Sequence, residues 1–355
     1  MKIGTFKMKP TTVFVALSGI FTPPASAGLA GPAEGYLRTA PSFKEICLNP
    51  PSEAERQTVE VMAWRAGFDL KSRDERICEG AEENLKRISY LKLHRDPFDP
   101  WWLLTSLVPV ATQPHLRILS ASHNEISDLS PLDWLRDLRN LILWDNRIAD
   151  ITVLAKLKHL SRVTLTKNQI TDLGPVSGLF GMREFAAEEN QIKSLEPLRK
   201  LTQIDSLFLG RNQIESLEPL AALSAMTYLH LPGNQIQNLQ PLAAMASMKN
   251  LTLTNNRIKS LAGIQAMTQM DALDLRGNEI ATTAGLAGLK KLRWLDLRDN
   301  QIQDVSDLAG LNDLKHLYLE GNPSTNIPDS LLALREEHLN SNGEWIRLEI
   351  DILDN

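Results

Sequence analysis

From about residue 116 onward, apolar residues recur in one fixed pattern with a period of 22 residues. The segment Leu292-Arg-Trp-Leu295-Asp-Leu297-Arg-Asp-Asn300-Gln-Ile302 carries it in full, as L-x-x-L-x-L-x-x-N-x-I. Around Leu295 and Leu297 apolar and polar residues alternate. That period-two signature predicts a short strand, with the leucines inward and Trp294, Asp296 and Arg298 outward. The polar anchor recurs as Asn124, Asn146, Asn168, Asn190, Asn212, Asn234, Asn256, Asn278, Asn300 and Asn322, with no spacing off by even one residue. A period of this size predicts a stacked solenoid, in which one unit repeats without insertion. Each unit alone exposes too much leucine to fold, so successive strands stack side by side. At ~4.8 Å per strand the steps from Asn124 to Asn322 make a ridge of roughly 43 Å.

The asparagines read as structural. Where the chain leaves the strand, its N–H and C=O groups lose their sheet partners, and an amide offers both donors and an acceptor to satisfy them within its own turn and the next. Beyond each isoleucine comes a short outer segment, such as Leu195-Glu-Pro197-Leu198-Arg-Lys-Leu201, with Pro131, Pro175, Pro197, Pro219 and Pro241 at one register. Proline fixes φ and lacks an N–H, so this side is expected to hold tight turns and 3₁₀ pieces rather than full helices. Met182, Met226, Met248 and Met270 take the first core position, and Met245 and Met267 an outer one, where adaptable thioethers fill space. In the unit ending at Asn190, Phe185 and Ala187 replace two strand leucines, a large-and-small exchange that roughly conserves volume.

On these residues the chain resembles the bacterial leucine-rich-repeat proteins with 22-residue units, the internalin-like class. The resemblance covers about residues 116–327. It implies an α/β solenoid: a right-handed arc with a parallel β-sheet on the concave face, turns and 3₁₀ segments on the convex face, and a helical N-terminal cap. No wall-anchoring motif follows the array, in contrast to many surface-attached proteins of that class, which argues against an adhesin role.

Open solenoid ends expose leucine, so each needs a lid. Residues 41–87 read as a helical cap. Ser52 and Glu55 have capping-box spacing before a stripe of Val59, Met62, Ala63 and Ala66 that ends at Gly67, and Ser72 and Glu75 repeat the box before a helix with Cys78, Leu85 and Ile88. The solenoid is then expected over 88–327, with regular units from 116. Its first unit, Ile88 to Asp96, is degenerate, and Asp96 stands in the asparagine position. The gap from Asp96 to Asn124 is six residues longer than standard and starts with Asp96-Pro-Phe-Asp-Pro-Trp-Trp102, a protruding loop in which Trp102 is either exposed or packed on the first unit. Residues 328–355 read as a C-terminal cap: a helix from Pro328 to His338, a turn at Asn342-Gly343, and a strand through Ile346, Leu348, Ile350 and Ile352.

Composition adds the address. Lys2, Lys7 and Lys9, a mostly apolar run from Val13 to Phe21, and Ala25-Ser26-Ala27 before Gly28 form a secretory signal with cleavage between Ala27 and Gly28. The apolar run falls short of the ~20 residues of a spanning anchor. Residues 28–40 read as a flexible start. Losing residues 1–27 removes three lysines and no acid, leaving 35 bases against 43 acids, a net charge of −8. That balance argues against nucleic acid, and no later stretch is apolar for long enough to enter a membrane. The expected location is periplasmic or secreted. The two cysteines, Cys47 and Cys78, are then expected to form a disulfide, with a pair of buried thiols as the alternative. Their 31-residue spacing does not suit a zinc site.

Function falls to the outward strand positions. Phe208, Tyr228 and His230 meet on adjoining strands, and Trp294, His316 and Tyr318 gather beside Arg276 and Arg298, with Trp144 apart from both groups. Exposed aromatics and arginines suit binding hot spots. Asp274 and Asp296 are neighbouring carboxylates, but Arg276 and Arg298 stand ready to neutralise them. No catalytic, cofactor or metal pattern accompanies them: there is no phosphate-binding glycine loop, HExxH or GxSxG. Asp145, Lys167, Glu189 and Arg211 alternate in sign and read as a solvated ladder. The expectation is an exported, non-catalytic module that binds a protein through its concave face. Two alternatives remain: a cell-envelope module for glycan or peptidoglycan, and a structural spacer.

Overall fold

A computed structural model describes residues 42–71, 73–94, 103–323, 328–333, 338–339, 345–346 and 348–351, all within one unit, residues 40–355. The leader, the start at 28–40, Ser72, Asp96 with the loop to Trp102, and Asn342-Gly343 lie outside these residues.

Eleven repeats each contribute one strand of three residues. These are β1 (Tyr90–Lys92), β2 (Ile118–Ser120), β3 (Asn140–Ile142), β4 (Arg162–Thr164), β5 (Glu184–Ala186), β6 (Ser206–Phe208), β7 (Tyr228–His230), β8 (Asn250–Thr252), β9 (Ala272–Asp274), β10 (Trp294–Asp296) and β11 (His316–Tyr318). They pair in parallel and in chain order, each residue with its counterpart 22 positions on from β2 to β11, such as Leu207↔Leu229. The middle residue of every strand is buried. From β2 to β11 the residues three before and two after it, which complete the L-x-x-L-x-L frame, are buried as well, including Met182, Met226, Met248 and Met270. Phe185 and Ala187 are both fully buried, the small residue making room for the ring. Burying one such side chain stabilises by about 1.5–3 kcal/mol. The opposite side of each coil turns through short 3₁₀ segments, such as Glu196–Leu198 and Glu218–Leu220, with proline at their start.

The asparagine amides join coil to coil. In Asn212 the Nδ2 donates to Leu209 O at 3.0 Å and Gly210 O at 3.2 Å in its own turn, and to Ala187 O at 2.9 Å one coil earlier. Its Oδ1 accepts from Ile192 N at 3.0 Å, also in the preceding coil. The neighbours repeat the arrangement, so each amide reaches back to the preceding unit rather than on to the next. Asn124 extends it to the first strand through Leu93 O at 3.1 Å and Leu104 N at 3.0 Å.

The residue before each asparagine adopts the left-handed conformation. His123, Asp145, Lys167, Glu189, Arg211, Asn255 and Asp299 have φ between 52° and 59°, and Gly233, Gly277 and Gly321 complete the series. Most side chains pay a steric cost there. At Gly277 a Cβ would also lie 2.2 Å from Asn255 Oδ1, so a larger residue there would push that amide aside. No periodicity of apolar residues signals this turn geometry.

Three helices precede the sheet. They are α1 (Phe43–Leu48), α2 (Glu53–Arg65) and α3 (Glu75–Leu85), and a Cys47–Cys78 disulfide ties α1 to α3. The reciprocal capping box belongs to Ser42 and Glu45 on α1. Ser52 caps α2 through Glu55 N, but the Glu55 carboxylate accepts from Ser106 Oγ at 3.2 Å instead of closing the box. For α3 the expected cap at Ser72 is replaced by Asp74, which stands directly before the first helical residue and accepts from Ile77 N at 3.0 Å. A carboxylate there also meets the positive end of the helix dipole. Ile88 lies past the end of α3.

The C-terminal segment departs most from expectation. Among the described residues the helix is α4 (Asp329–Leu332), and His338 belongs to a strand. β12 (His338–Leu339) pairs antiparallel with β13 (Trp345–Ile346), and β14 (Glu349–Asp351) adds to the main sheet beside β11. The single strand expected through 346–352 is therefore two strands with different partners. Alternation reports a buried face, here Leu348 with Ile350 partly buried, and says nothing about which strand each residue pairs with.

Candidate functional site

Strands of three residues leave two kinds of outward side chain: the first and third residues of each strand, and the residue two further on. In register they form rows across the inner face of the sheet. The structure places the candidate residues in these rows and then distinguishes among them by their partners.

At β6 and β7 the Phe208 and His230 rings lie 6.2 Å apart, centroid to centroid. Tyr228, at the start of β7, is 41 % exposed and stands apart from that pair, beside a cavity of about 410 Å³ bordered by Lys249, Asp271, Lys291 and Arg293. His230 Nε2 meets Glu188 Oε1 at 3.2 Å. Gly210 leaves a gap in the same row, and the Pro232 ring occupies it: a Cβ at 210 would lie 2.8 Å from Pro232 Cδ and Cγ. Glu188 and Pro232 thus shape this patch, although neither is aromatic or basic. Their signal was the shared register of positions 188, 210 and 232.

At β10 and β11 the Trp294 and Tyr318 rings are 5.6 Å apart, and the Arg298 guanidinium lies 5.0 Å over Tyr318. His316 turns away to the last strand, its Nδ1 3.1 Å from Glu349 Oε2. Arg276 is engaged by Asp299, with Nε 2.9 Å from Oδ2. Trp144 belongs to neither group and packs edge-on against His123 at 4.3 Å.

Asp296 was expected to face solvent, yet it is 1 % exposed. Arg298 covers it, its Nε 3.0 Å from both carboxylate oxygens, while the Arg298 backbone N–H donates to Oδ1 at 3.0 Å. A buried carboxylate persists only with such pairing. Burial holds the neighbouring Asp274 carboxyl above its ordinary pKa. Hydrogen bonds from the Arg276 N–H and Thr254 oppose that shift, the Asp296 charge reinforces it, and Arg298 opposes it. The Asp274–Asp296 pair is therefore locked by arginine and backbone.

The charged ladder resolves into pairs: Lys167 with Asp145 at 2.8 Å and Arg211 with Glu189 at 3.2 Å, with His123 joining Asp145 at 2.9 Å. Burial works against ionisation of Asp145, but the bonds from Lys167 and His123 outweigh it and lower its pKa. Among the described residues no three His, Cys, Asp or Glu side chains come together as a metal site. No helix among them is long and apolar enough to cross a membrane.

Comparison with known proteins follows the same lines. A family profile described as Leucine Rich repeats (2 copies) matches residues 136–178 and 290–333. An internalin (inlF) from Listeria monocytogenes is 27 % identical over 81 % of this chain and 86 % of its own, with a TM-score of 0.64. A leucine-rich-repeat protein of Leptospira interrogans is 24 % identical over 76 % of this chain and 74 % of its own, with a TM-score of 0.64. The plant peptide hormone receptor RGFR1, at 16 % identity over 77 % of this chain and 48 % of its own and a TM-score of 0.60, shares the fold alone. Among curated proteins none matches the sequence. The chain is a leucine-rich-repeat protein structurally similar to the Listeria internalins.

Proposed function

We infer that this is an exported, non-catalytic module that docks a protein partner on the inner face of its sheet. The observation that carries the reading is the state of the aromatic side chains there. Phe208, Tyr228, Trp294 and Tyr318 sit on rigid, hydrogen-bonded strands instead of mobile loops, and Tyr228 stays 41 % exposed. Rigid aromatics lose little entropy on binding and favour hot spots. The carboxylates and arginines beside them are largely satisfied by one another, which removes the unpaired acid or base that catalysis requires. In this reading the cavity beside Tyr228 receives a side chain of the partner, His230, Arg276, Arg298 and His316 flank the two aromatic groups without anchoring them, and Trp144, against His123, offers a separate contact.

The proposed organisation is a leader to Ala27, a cap stapled by Cys47 and Cys78, the repeat array, and a C-terminal lid. The test captures partners from the envelope fraction of the producing cell, using wild-type protein and the Phe208→Ala, Tyr228→Ala, Trp294→Ala, Tyr318→Ala variant. Loss of the captured protein in the variant, with an unchanged circular dichroism spectrum, supports the reading. Equal capture by both proteins overturns it.

A further inference from the structure

The two edges of the inner face differ in how their charges are spent. Along the edge where strands end, the side chains pair with one another: His123 and Lys167 with Asp145, Arg211 with Glu189, Arg276 with Asp299, and Arg147 with Glu125. Along the edge where strands begin, four successive strands each bring one arginine: Arg117 just before β2, Arg139 just before β3, Arg162 opening β4, and Arg183 just before β5. All four are exposed. Their backbones are fixed by the ladder, with Arg139 N donating to Arg117 O at 2.8 Å and Arg162 N to Arg139 O at 3.1 Å. Of the four, Arg162 pairs with Glu184 Oε2 at 3.5 Å; Arg117, Arg139 and Arg183 make no ion pair among the described residues.

The surroundings sharpen the pattern. Exposed Lys158 and His159 lie on the turn that leads into β4, and Arg136 and Lys156 share Asp133. The acids here are Asp133, Glu184 and exposed Asp137, and the track stops at Asp205, whose Oδ1 accepts from Ser206 Oγ at 2.7 Å. Beside the arginines runs the row Tyr90, Ile118, Asn140 and Arg162, paired strand to strand, in which Tyr90 is 48 % exposed. A chain carrying an excess of acid thus keeps a line of four guanidinium groups, three of them without an ion pair, about 14 Å long at about 4.8 Å per strand, next to an exposed ring and an amide.

We propose that this edge binds an anionic polysaccharide. Guanidinium forks match carboxylate and sulfate in bidentate geometry. Their strand-to-strand repeat suits a polymer with charge on successive sugars, where a lone anion would need one arginine only. Tyr90 presents a flat apolar face for a pyranose ring, and Asn140 offers donor and acceptor to hydroxyl groups. This site is separate from the aromatic groups at β6–β7 and β10–β11, so it stands or falls independently of the protein partner.

The experiment measures binding of the full chain to heparin and to polygalacturonate at several salt concentrations, with dextran, polyphosphate and single-stranded DNA as comparison polymers. Wild type is expected to bind both charged polysaccharides and not dextran. The Arg117→Gln, Arg139→Gln, Arg183→Gln variant is expected to bind at least about tenfold more weakly, and its slope of log Kd against log salt falls by about three, one for each contact removed. Arg147→Gln with Arg211→Gln, on the opposite edge, leaves affinity within about twofold. Tyr90→Ala weakens the polysaccharides while sparing polyphosphate and DNA. The proposal is overturned if wild type ignores both charged polysaccharides, if the triple variant binds as wild type does, or if polyphosphate and DNA bind as tightly and Tyr90→Ala changes nothing.

Discussion

Replacing Asn212 by alanine removes four hydrogen bonds, but they are not equally costly. The three carbonyls that lose the Nδ2 donor each keep another: Ala187 O still accepts from Asn190 Nδ2 at 3.1 Å, Leu209 O from Asn234 Nδ2 at 3.0 Å, and Gly210 O from Glu189 N at 2.9 Å. The Ile192 N–H has only Asn212 Oδ1, and Ile192 is fully buried. An orphaned buried N–H costs about 1–3 kcal/mol, and the space left by the amide adds to it, so the expected loss is about 2–3 kcal/mol. Urea unfolding followed by circular dichroism reads the loss, and faster hydrogen exchange at Ile192 locates it, since a repeat array need not unfold in one step. Asn212→Asp gives a sharper contrast. Its carboxylate still accepts from Ile192 but now faces three carbonyls, so at neutral pH it is expected to be worse than alanine and to recover as acid protonates it. A change below about 0.5 kcal/mol in Asn212→Ala, with Ile192 exchange unaltered, would refute the assignment of the amide as the link between coils.

Other expectations follow from the same structure. Asp274 holds its proton more tightly folded than unfolded, so its ionisation costs stability as pH rises from below the ordinary aspartate pKa to above the folded value. Asp274→Asn is therefore expected to raise the urea midpoint at pH 7 and to lose that advantage in acid. Asp145 carries the opposite sign, and the stability it contributes should fall away as pH drops through its lowered folded pKa, an effect absent in Asp145→Asn. At Glu189, where φ is 52°, valine is expected to cost about 1–2 kcal/mol and glycine to be neutral within about 0.5 kcal/mol, by urea midpoint. Reduction of Cys47–Cys78, which closes a 31-residue separation, should lower stability by about 3–4 kcal/mol in the chain-entropy view, read as a shift in thermal unfolding under reductant.

Most of the architecture was legible because one repeat states it ten times over. Period-two leucines around each asparagine can be satisfied only by a short strand with a stacked neighbour, and the prolines exclude helices between them. What escaped was decided by geometry that no periodicity encodes. The left-handed turn before each asparagine holds His123, Lys167 and Arg211 as well as Gly233, so composition conceals it. Asp296 looks exposed by its register, and becomes buried because the Arg298 side chain folds back over it. His316 stands beside Trp294 in register, yet its ring pairs with Glu349, and Arg276 pairs with Asp299. At the C-terminus, where no repeat corrects a misreading, the alternation of Ile346 to Ile350 concealed a change of strand partner. The basic edge is hidden for a related reason: Arg117, Arg139 and Arg183 lie one residue before the strands, outside the outward rows of the repeat.

If the inner face meets a partner, residues on it must come within crosslinking distance of that partner. A photocrosslinking amino acid placed at position 208, at 294 or at 180 tests it directly, because Phe180 lies away from the sheet and is 58 % exposed. Positions 208 and 294 are expected to capture the same protein in the producing cell while 180 captures nothing. Capture at 180, with silence at both strand positions, would contradict it.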